Sequence, residues 1–571
     1  MEFIEELTQN AAEIQTRVLS EILSRNSNVE YLKRHGLNGH TGAETFKKMV
    51  PVVSYDDIEP DIKRIANGDS SPILCCEPIS EFLTSSGTAG GERKLVPMTG
   101  EELRRRASFN NLSKPVMFQC FPGLDRGKLM YFLFVKPESK TPSGLPARAA
   151  STSSLRNSDL TAGPHNPFTS PRDTLLCQDY FQSMYSQMLC GLCQNKLVLQ
   201  AGAIFPTSFI RAIRFLEEHW SLLCDDIRTG SVNSLITDPL VREAVMGILR
   251  PDPELADFVE SKCRKDSWQG IIPRLWPNIK FINAIVTGTM SQYVPILDYY
   301  GNGLPIVSNI YGSSECFFGI NLNPLCKPSD VSYTFIPTMA YFEFSPVNKN
   351  DGEEHEELVD LVDVKLGQEY EVVVTTYAGL YRYRVGDVLR VAGFKNNAPQ
   401  FNFVCRKNVI LSIDSDKTDE TEIQNAVAKA ASHLIPFNLS VADYTSYADT
   451  TQVPGHYVLY WELSQIGSSS NSVPPIVFQN CCFTIEESLA STYRQHRNSK
   501  VISNLEIRIV EAGTFDKLMD HAISLGSSNN QYKTPRCVKS EPIIELLNSS
   551  VESSYFSPKC PQWTSQWNYK N

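Results

Sequence analysis

Apolar residues recur every three to four positions near the start of the chain and every second position, or in short solid runs, further on. Residues 4–34 alternate apolar and charged positions at helical spacing, with Ile14, Val18 and Ile22 on one face, so this stretch is expected to be helical. Short β-rich runs at 130–135, 196–199 and 281–286 read as strands, and 208–218 reads as a helix between two of them. Strand-like runs resume at 370–376 and 388–391. This alternation predicts an α/β protein.

Polar breaks divide the pattern. The acidic, Gly-containing stretch 348–357 reads as an exposed loop. Asp414-Ser415-Asp416-Lys417-Thr418-Asp419-Glu420 offers N-cap chemistry for a helix running to about His433. A domain boundary is therefore expected near residues 405–415. A smaller α/β domain follows it: a helix, a strand at 457–463, a Ser-rich loop at 467–472, another helix and a strand at 505–510. The last dozen residues read as a tail.

Composition narrows the class. At 571 residues, with 42% hydrophobic and 20% charged, the chain can bury a large core in more than one domain. A net charge of −11 argues against general affinity for nucleic acid. No run approaches the roughly 20 apolar residues of a membrane span, and the acidic start is not a secretory signal. The fifteen cysteines, an odd number with adjacent pairs at Cys75–Cys76 and Cys481–Cys482, make a poor disulfide framework and point to a reducing, cytoplasmic location. Cys190 and Cys193 have CxxC spacing but no second pair or nearby histidine, so they read as inert thiols.

Three strings carry chemistry. In Thr84-Ser85-Ser86-Gly87-Thr88-Ala89-Gly90-Gly91-Glu92-Arg93-Lys94, glycines allow close backbone approach to an anion, and the hydroxyls of Ser85, Ser86 and Thr88 can donate to phosphate oxygens. It lacks the Gly-Lys-Ser/Thr of a Walker A loop. In Tyr311-Gly312-Ser313-Ser314-Glu315, a carboxylate at the end of a strand is a hard ligand suited to Mg²⁺. In Tyr381-Arg382-Tyr383-Arg384-Val385-Gly386-Asp387, an Asp after a tight turn, just before a strand from 388, suits two vicinal ribose hydroxyls. Each string alone also fits a solvated loop or turn.

Together, and in this order, they resemble the signatures of adenylate-forming enzymes. Fuller strings are similar to one branch, the plant auxin-responsive acyl-acid amido synthetases: Phe318-Gly319-Ile320-Asn321-Leu322-Asn323-Pro324, Met339-Ala340-Tyr341-Phe342-Glu343-Phe344, Pro454-Gly455-His456-Tyr457-Val458 and Gln531-Tyr532-Lys533-Thr534-Pro535-Arg536. The resemblance runs from about residue 3 to residue 560. It implies a firefly-luciferase-like α/β fold: a large N-terminal domain of β-sheets and a β-barrel flanked by helices, residues 1–408, and a small mobile C-terminal α/β domain, residues 409–571. It implies a ligase that uses ATP and Mg²⁺ to adenylate a hormone-type carboxylic acid and conjugate it to an amino acid. It further implies a role for each matched residue: Ser85, Ser86 and Thr88 on the phosphates, Glu315 on Mg²⁺, Asp387 on ribose, Tyr341 beside adenine, and Arg406 at the hinge. Lys417 and Lys533 would be catalytic groups brought by the moving domain. The implied partners are small molecules only, with no nucleic acid and no membrane, and the implied state is a monomer.

For the acyl acid, the resemblance points to Arg211 and to the wall that follows Thr141–Arg148. Auxin-conjugating relatives continue there with Val-Leu and then a Tyr pair; this chain has Ala149-Ala150-Ser151-Thr152-Ser153-Ser154-Leu155, which makes a larger, more polar pocket at Ala150 and Ser151. Gly312 stands where those relatives usually carry Ala. Indole-3-acetic acid is the first choice of acid, with jasmonate, a benzoate or indole-3-butyrate open. An acyl-CoA ligase or a non-catalytic hormone-binding relative are the competing readings.

Overall fold

In the computed structural model, residues 1–89, 92–135, 138–157, 166–265, 267–347, 358–407, 409–465, 473–524 and 534–563 are described. They fall into two compact units, Met1–Ser85 with Leu95–Lys407 and Ser86–Lys94 with Asn408–Asn568.

The first unit begins with the helices Glu2–Gln9, Ala11–Arg25 and Glu30–Arg34, and the expected stripe of Ile14, Val18 and Ile22 is buried. A parallel sheet follows, in the order Lys128–Phe132, Val198–Ala203, Phe281–Asn283, Ile306–Val307. Its short apolar strands are those of a sheet covered by helices. The helix Pro206–Thr229 has Pro at its start and Gly230 in the left-handed region at its end, the usual asymmetry of helix termini.

The expected strand at 196–199 lies instead at Val198–Ala203, across an Ala-Gly-Ala run that looks unlike a strand. Gly202 is required there because its neighbour in the sheet is Asn283, whose carbonyl oxygen would stand 1.9 Å from an added Cβ.

The larger sheet runs Val359–Asp360, Tyr341–Pro346, Glu369–Thr375, Tyr383–Lys395, Ala398–Arg406, Tyr333–Phe335, Phe317–Ile320, Ile310–Gly312. Phe318, Phe335, Phe342, Phe344 and Phe401 form its apolar filling, with ring centroids 4.7 to 6.1 Å apart. A third sheet has the order Glu92–Thr99, Ile79–Ala89, Pro146–Ala149, Ser139–Lys140.

The second unit is a four-stranded sheet, Leu439–Asp449, His456–Gln465, Glu506–Val510, Val551–Phe556, with helices Glu420–Ala431 and Pro475–Ser488 packed on it. Leu459, Trp461, Cys481, Cys482, Ile485 and Ile507 belong to one buried core. The capping residue expected for the first helix is Asp419, whose carboxylate accepts from the Glu422 N–H at 2.8 Å. All fifteen cysteines are free thiols. Cys190 is buried within the helix Tyr180–Cys193, and burial pushes the Cys193 thiol up to about 12. No described helix is long and apolar enough to cross a membrane. The loops expected at 348–357 and 467–472 and most of the tail lie outside the described residues.

Candidate functional site

Asp387 does not follow a turn, as the sequence suggested; it lies inside the strand Tyr383–Lys395. On one side Arg384 faces Val373 and Val388 faces Glu371, so residues 385–387 form a bulge in the ladder. Gly386 supplies the left-handed conformation the bulge needs, at φ +83°. On the other side Asp387 faces Arg406, the last residue of Ala398–Arg406, and the Lys407 N–H donates to the Gly386 carbonyl at 2.7 Å.

This bulge presents a buried carboxylate to two donors. Arg406 Nη1 donates to Asp387 Oδ1 at 3.2 Å, and the Tyr311 hydroxyl donates to Oδ2 at 2.7 Å. Tyr311 belongs to Ile310–Gly312, four strands away in the order of the sheet. A flat sheet would hold these strands about 19 Å apart. The sheet therefore curls strongly on itself, and the curl brings together residues 76 positions apart in the sequence.

The electrostatics follow from the burial. Burial and then the Asp387 charge hold the Tyr311 hydroxyl well above its ordinary value, so it stays a neutral donor. Burial works against the Arg406 charge, but Asp387 and then Glu315 more than offset it and raise it. Tyr383 is raised by burial and by Glu315. Asp387, Glu315 and Arg406 thus share one electrostatic neighbourhood.

Glu315 is buried in the connection between Ile310–Gly312 and Phe317–Ile320, just past the strand end. Its backbone N–H donates to Ser313 Oγ at 3.2 Å. The turn is held from outside by Arg106 of the helix Gly100–Cys120, which donates to the Ser314 carbonyl at 2.9 Å and pairs with Glu102 at 3.2 Å. Arg106 is 207 residues from the turn, and within the run Arg104-Arg105-Arg106 nothing in the sequence marks it out.

A second unforeseen device precedes the Asp387 strand. Arg382, at φ +46°, makes a two-point pair with Glu343 at 2.8 and 2.9 Å and donates to the carbonyls of Lys47 and Val50. A non-glycine residue in this region is strained, and the four hydrogen bonds hold it there.

Ser85 is buried on the strand Ile79–Ala89, which pairs in parallel with Pro146–Ala149 so that Thr84 faces Ala149. Thr84, at the start of the phosphate-type segment, thus pairs with Ala149, and half-buried Ala150 and Ser151 open the helix Ala150–Arg156 that follows. Gly312 sits where an added Cβ would come within 2.5 Å of the Phe317 ring. Arg211, half-buried on Pro206–Thr229, has its guanidinium 5.2 Å over the Tyr180 ring. Tyr341 is buried, donates to Asp360 Oδ1 at 2.8 Å and meets Phe46 edge-on; these contacts do not join it to Asp387. In the second unit, half-buried Lys417 lies between Asp416 and Thr418, both bound to the Tyr457 hydroxyl. The side chains of Ser86 and Thr88, and all of Lys533, lie outside the described residues. Among the described residues no group of three or more His, Cys, Asp or Glu could hold a metal ion.

Three family models match the chain: the GH3 family N-terminal domain over residues 1–306, the GH3 family central domain over 333–406 and the GH3 family C-terminal domain over 421–542. The chain is 66% identical to indole-3-acetic acid-amido synthetase GH3.6 of Arabidopsis thaliana, covering 99% of this chain and 96% of that one. It is similar to the solved structure of AtGH3.15 acyl acid amido synthetase in complex with 2,4-DB, with a TM-score of 0.70 and 49% identity over 99% of this chain and 98% of that one. A 2-hydroxyisobutyryl-CoA ligase, 12% identical with a TM-score of 0.51 over 95% and 91% of the two chains, shares the fold.

Proposed function

Because the chain belongs to the GH3 family, we propose that it is an ATP-dependent acyl acid amido synthetase, with indole-3-acetic acid the first choice of acid and an amino acid the acceptor. The observation that carries this reading is the buried Asp387 carboxylate held by buried Tyr311 and half-buried Arg406, with Glu315 in its electrostatic neighbourhood. A carboxylate offers about four lone-pair directions. Tyr311 and Arg406 use two of them, which leaves two for the 2′ and 3′ hydroxyls of a ribose.

In the first half-reaction an oxygen of the acid's carboxylate bonds to the α-phosphorus of ATP, and pyrophosphate leaves. Ser85, with Ser86 and Thr88, donates to the phosphates, and Arg406 adds fixed positive charge to the same region. Glu315 is the residue for Mg²⁺. One buried carboxylate fits a metal that keeps most of its shell from phosphates and water. Held by Glu315, Mg²⁺ would supply positive charge against that developing on the departing pyrophosphate. In the second half-reaction the amino acid's nitrogen, freed of one ammonium proton to solvent, bonds to the acyl carbon, AMP leaves with the C–O bond electrons, and the nitrogen gives up a second proton to solvent to become the amide.

Lys417 and Lys533 belong to the C-terminal domain, residues 409–571, which swings between the half-reactions and so presents different groups to each. Ala150, Ser151, Gly312 and Arg211 face the acyl acid, and the adenine lies against Tyr341. Jasmonate, a benzoate and indole-3-butyrate are the alternative acids.

Exchange of labelled pyrophosphate into ATP reads the first half-reaction alone. Glu315→Ala and Asp387→Ala should each lower acid-dependent exchange by about 10²-fold or more while the far-ultraviolet circular dichroism stays that of the parent. Near-parental exchange in both variants would sink the site.

A further inference from the structure

The helix that opens with Ala150 and Ser151 is poorly equipped to hold its own position. It has seven residues, Ala150-Ser151-Thr152-Ser153-Ser154-Leu155-Arg156, no side-chain cap at Ala149, and only one large apolar side chain. A seven-residue segment rich in Ser and Thr does not form a stable helix by itself.

Its ties are polar and lead to one strand. The Ser153 hydroxyl donates to Glu81 Oε1, and Asn157 Nδ2 stands 3.4 Å from the same oxygen. The other oxygen of Glu81 lies 3.3 Å from Arg148 Nε, at the end of the neighbouring strand. Arg148 Nε is also 3.3 Å from Glu138, and Glu138 pairs with Arg156 at the far end of the helix. Two carboxylates and two guanidiniums thus frame the helix, with Glu81 and Ser153 both buried. Glu81 lies four residues before Ser85 on the same strand, so both side chains project to one face of the sheet.

We propose that Glu81 is a specificity-determining positioning residue, which fixes the distance between the acyl wall at Ala150 and Ser151 and the phosphate strand at Ser85 and so sets the size of acid accepted. This rests on the amido synthetase reading. Loss of the Glu81–Ser153 link frees the first turn of the helix to move away from the strand, which relaxes discrimination between a small and a large acid. The described partners of Asp387 are Tyr311 and Arg406, outside this frame, so ATP affinity at that subsite is expected to be kept.

The test is the ratio of kcat/KM for indole-3-acetate and benzoate, measured on the full chain and on Glu81→Ala, Ser153→Ala and the double variant, with the KM for ATP and the Tm of each. A ratio is independent of the fraction of active enzyme, so partial unfolding does not move it. Each single change should shift the ratio by about tenfold, the double variant by no more than either, and the KM for ATP by less than about twofold. The neutral Ser153→Ala carries the test if Glu81→Ala does not fold. A ratio unchanged while both acids slow in proportion overturns the inference and leaves the function intact. A parent chain silent with every acid and amino acid overturns the function, and this inference with it.

Discussion

Asp387 is buried and Arg406 half-buried, and the two depend on each other. Deletion of one partner of a fully buried pair costs about 3–5 kcal/mol, and the partial exposure of Arg406 places this pair below that range. Arg406→Ala should therefore lower the denaturant midpoint as well as ATP affinity. Tyr311→Phe keeps the ring against Phe318 and removes only the donor to Asp387 Oδ2, so about 1–3 kcal/mol is expected, with a raised KM for ATP. A Tyr311→Phe variant with the parent's KM for ATP would mean that Asp387 does not meet the nucleotide. At Gly312, an added methyl must displace the Phe317 ring. Gly312→Ala should move the preference toward smaller acids, read as kcat/KM across a series of acids. The residues that the sequence singled out for this candidate site were those in short strings whose chemistry is local: Ser85, Glu315, Asp387. The Tyr311 donor, the Arg106 brace and the Arg382–Glu343 clamp were hidden, because each joins positions 39 to 207 residues apart that only the folded sheet brings together.

Among the elements, the bulge at 385–387 decides whether Asp387 faces Arg406 with its side chain or with its backbone. An added Cβ at Gly386 meets nothing within 4 Å, so Gly386→Ala tests the positive φ alone. About 1–2 kcal/mol of stability should be lost, with a larger loss of adenylation than of folded protein. The strand-like run at 388–391 revealed the strand but not its start at Tyr383, since the bulge at 385–387 interrupts the regular ladder before it.

In the second unit two carboxylates respond to pH in opposite directions. Burial pushes Glu422 up to about 7, against the hydrogen bond from the Ala490 N–H, in the first turn of Glu420–Ala431. A carboxyl raised on folding stabilises below its unfolded value near 4.5, and that stability is lost as pH rises through 7. Burial also raises Glu506, but the bonds from His456 and Arg508 outweigh it and hold the carboxyl at about 2. Its stability is present above 4.5 and lost as pH falls toward 2. Glu422→Gln should flatten the fall in Tm between pH 5 and 7, within the window from 4.5 to 7 that its shift spans, and leave the acid limb in place. An unaltered Tm profile for that variant would contradict the assignment.

For the molecule as a whole, the sequence placed the α/β class and the helical start correctly. The sheet orders were beyond it, because strand pairing across hundreds of residues leaves no local pattern. The second unit has its own core around Trp461 and Tyr457. We expect the C-terminal domain, residues 409–571, expressed alone, to give a cooperative thermal transition with near-ultraviolet circular dichroism from Trp461; a featureless spectrum would mean that it needs the rest of the chain.

The central claim is that one chain joins an acid to an amino acid through an acyl-adenylate. The most direct measurement is AMP release from ATP and Mg²⁺ across a matrix of acids, indole-3-acetate, indole-3-butyrate, jasmonate and benzoates, against the twenty amino acids, with product masses recorded. The account predicts AMP formation that requires both an acid and an amino acid, with an amide of their summed mass less one water. AMP formation that depends on coenzyme A and ignores amino acids, or ATP binding without AMP formation in any pairing, would contradict it.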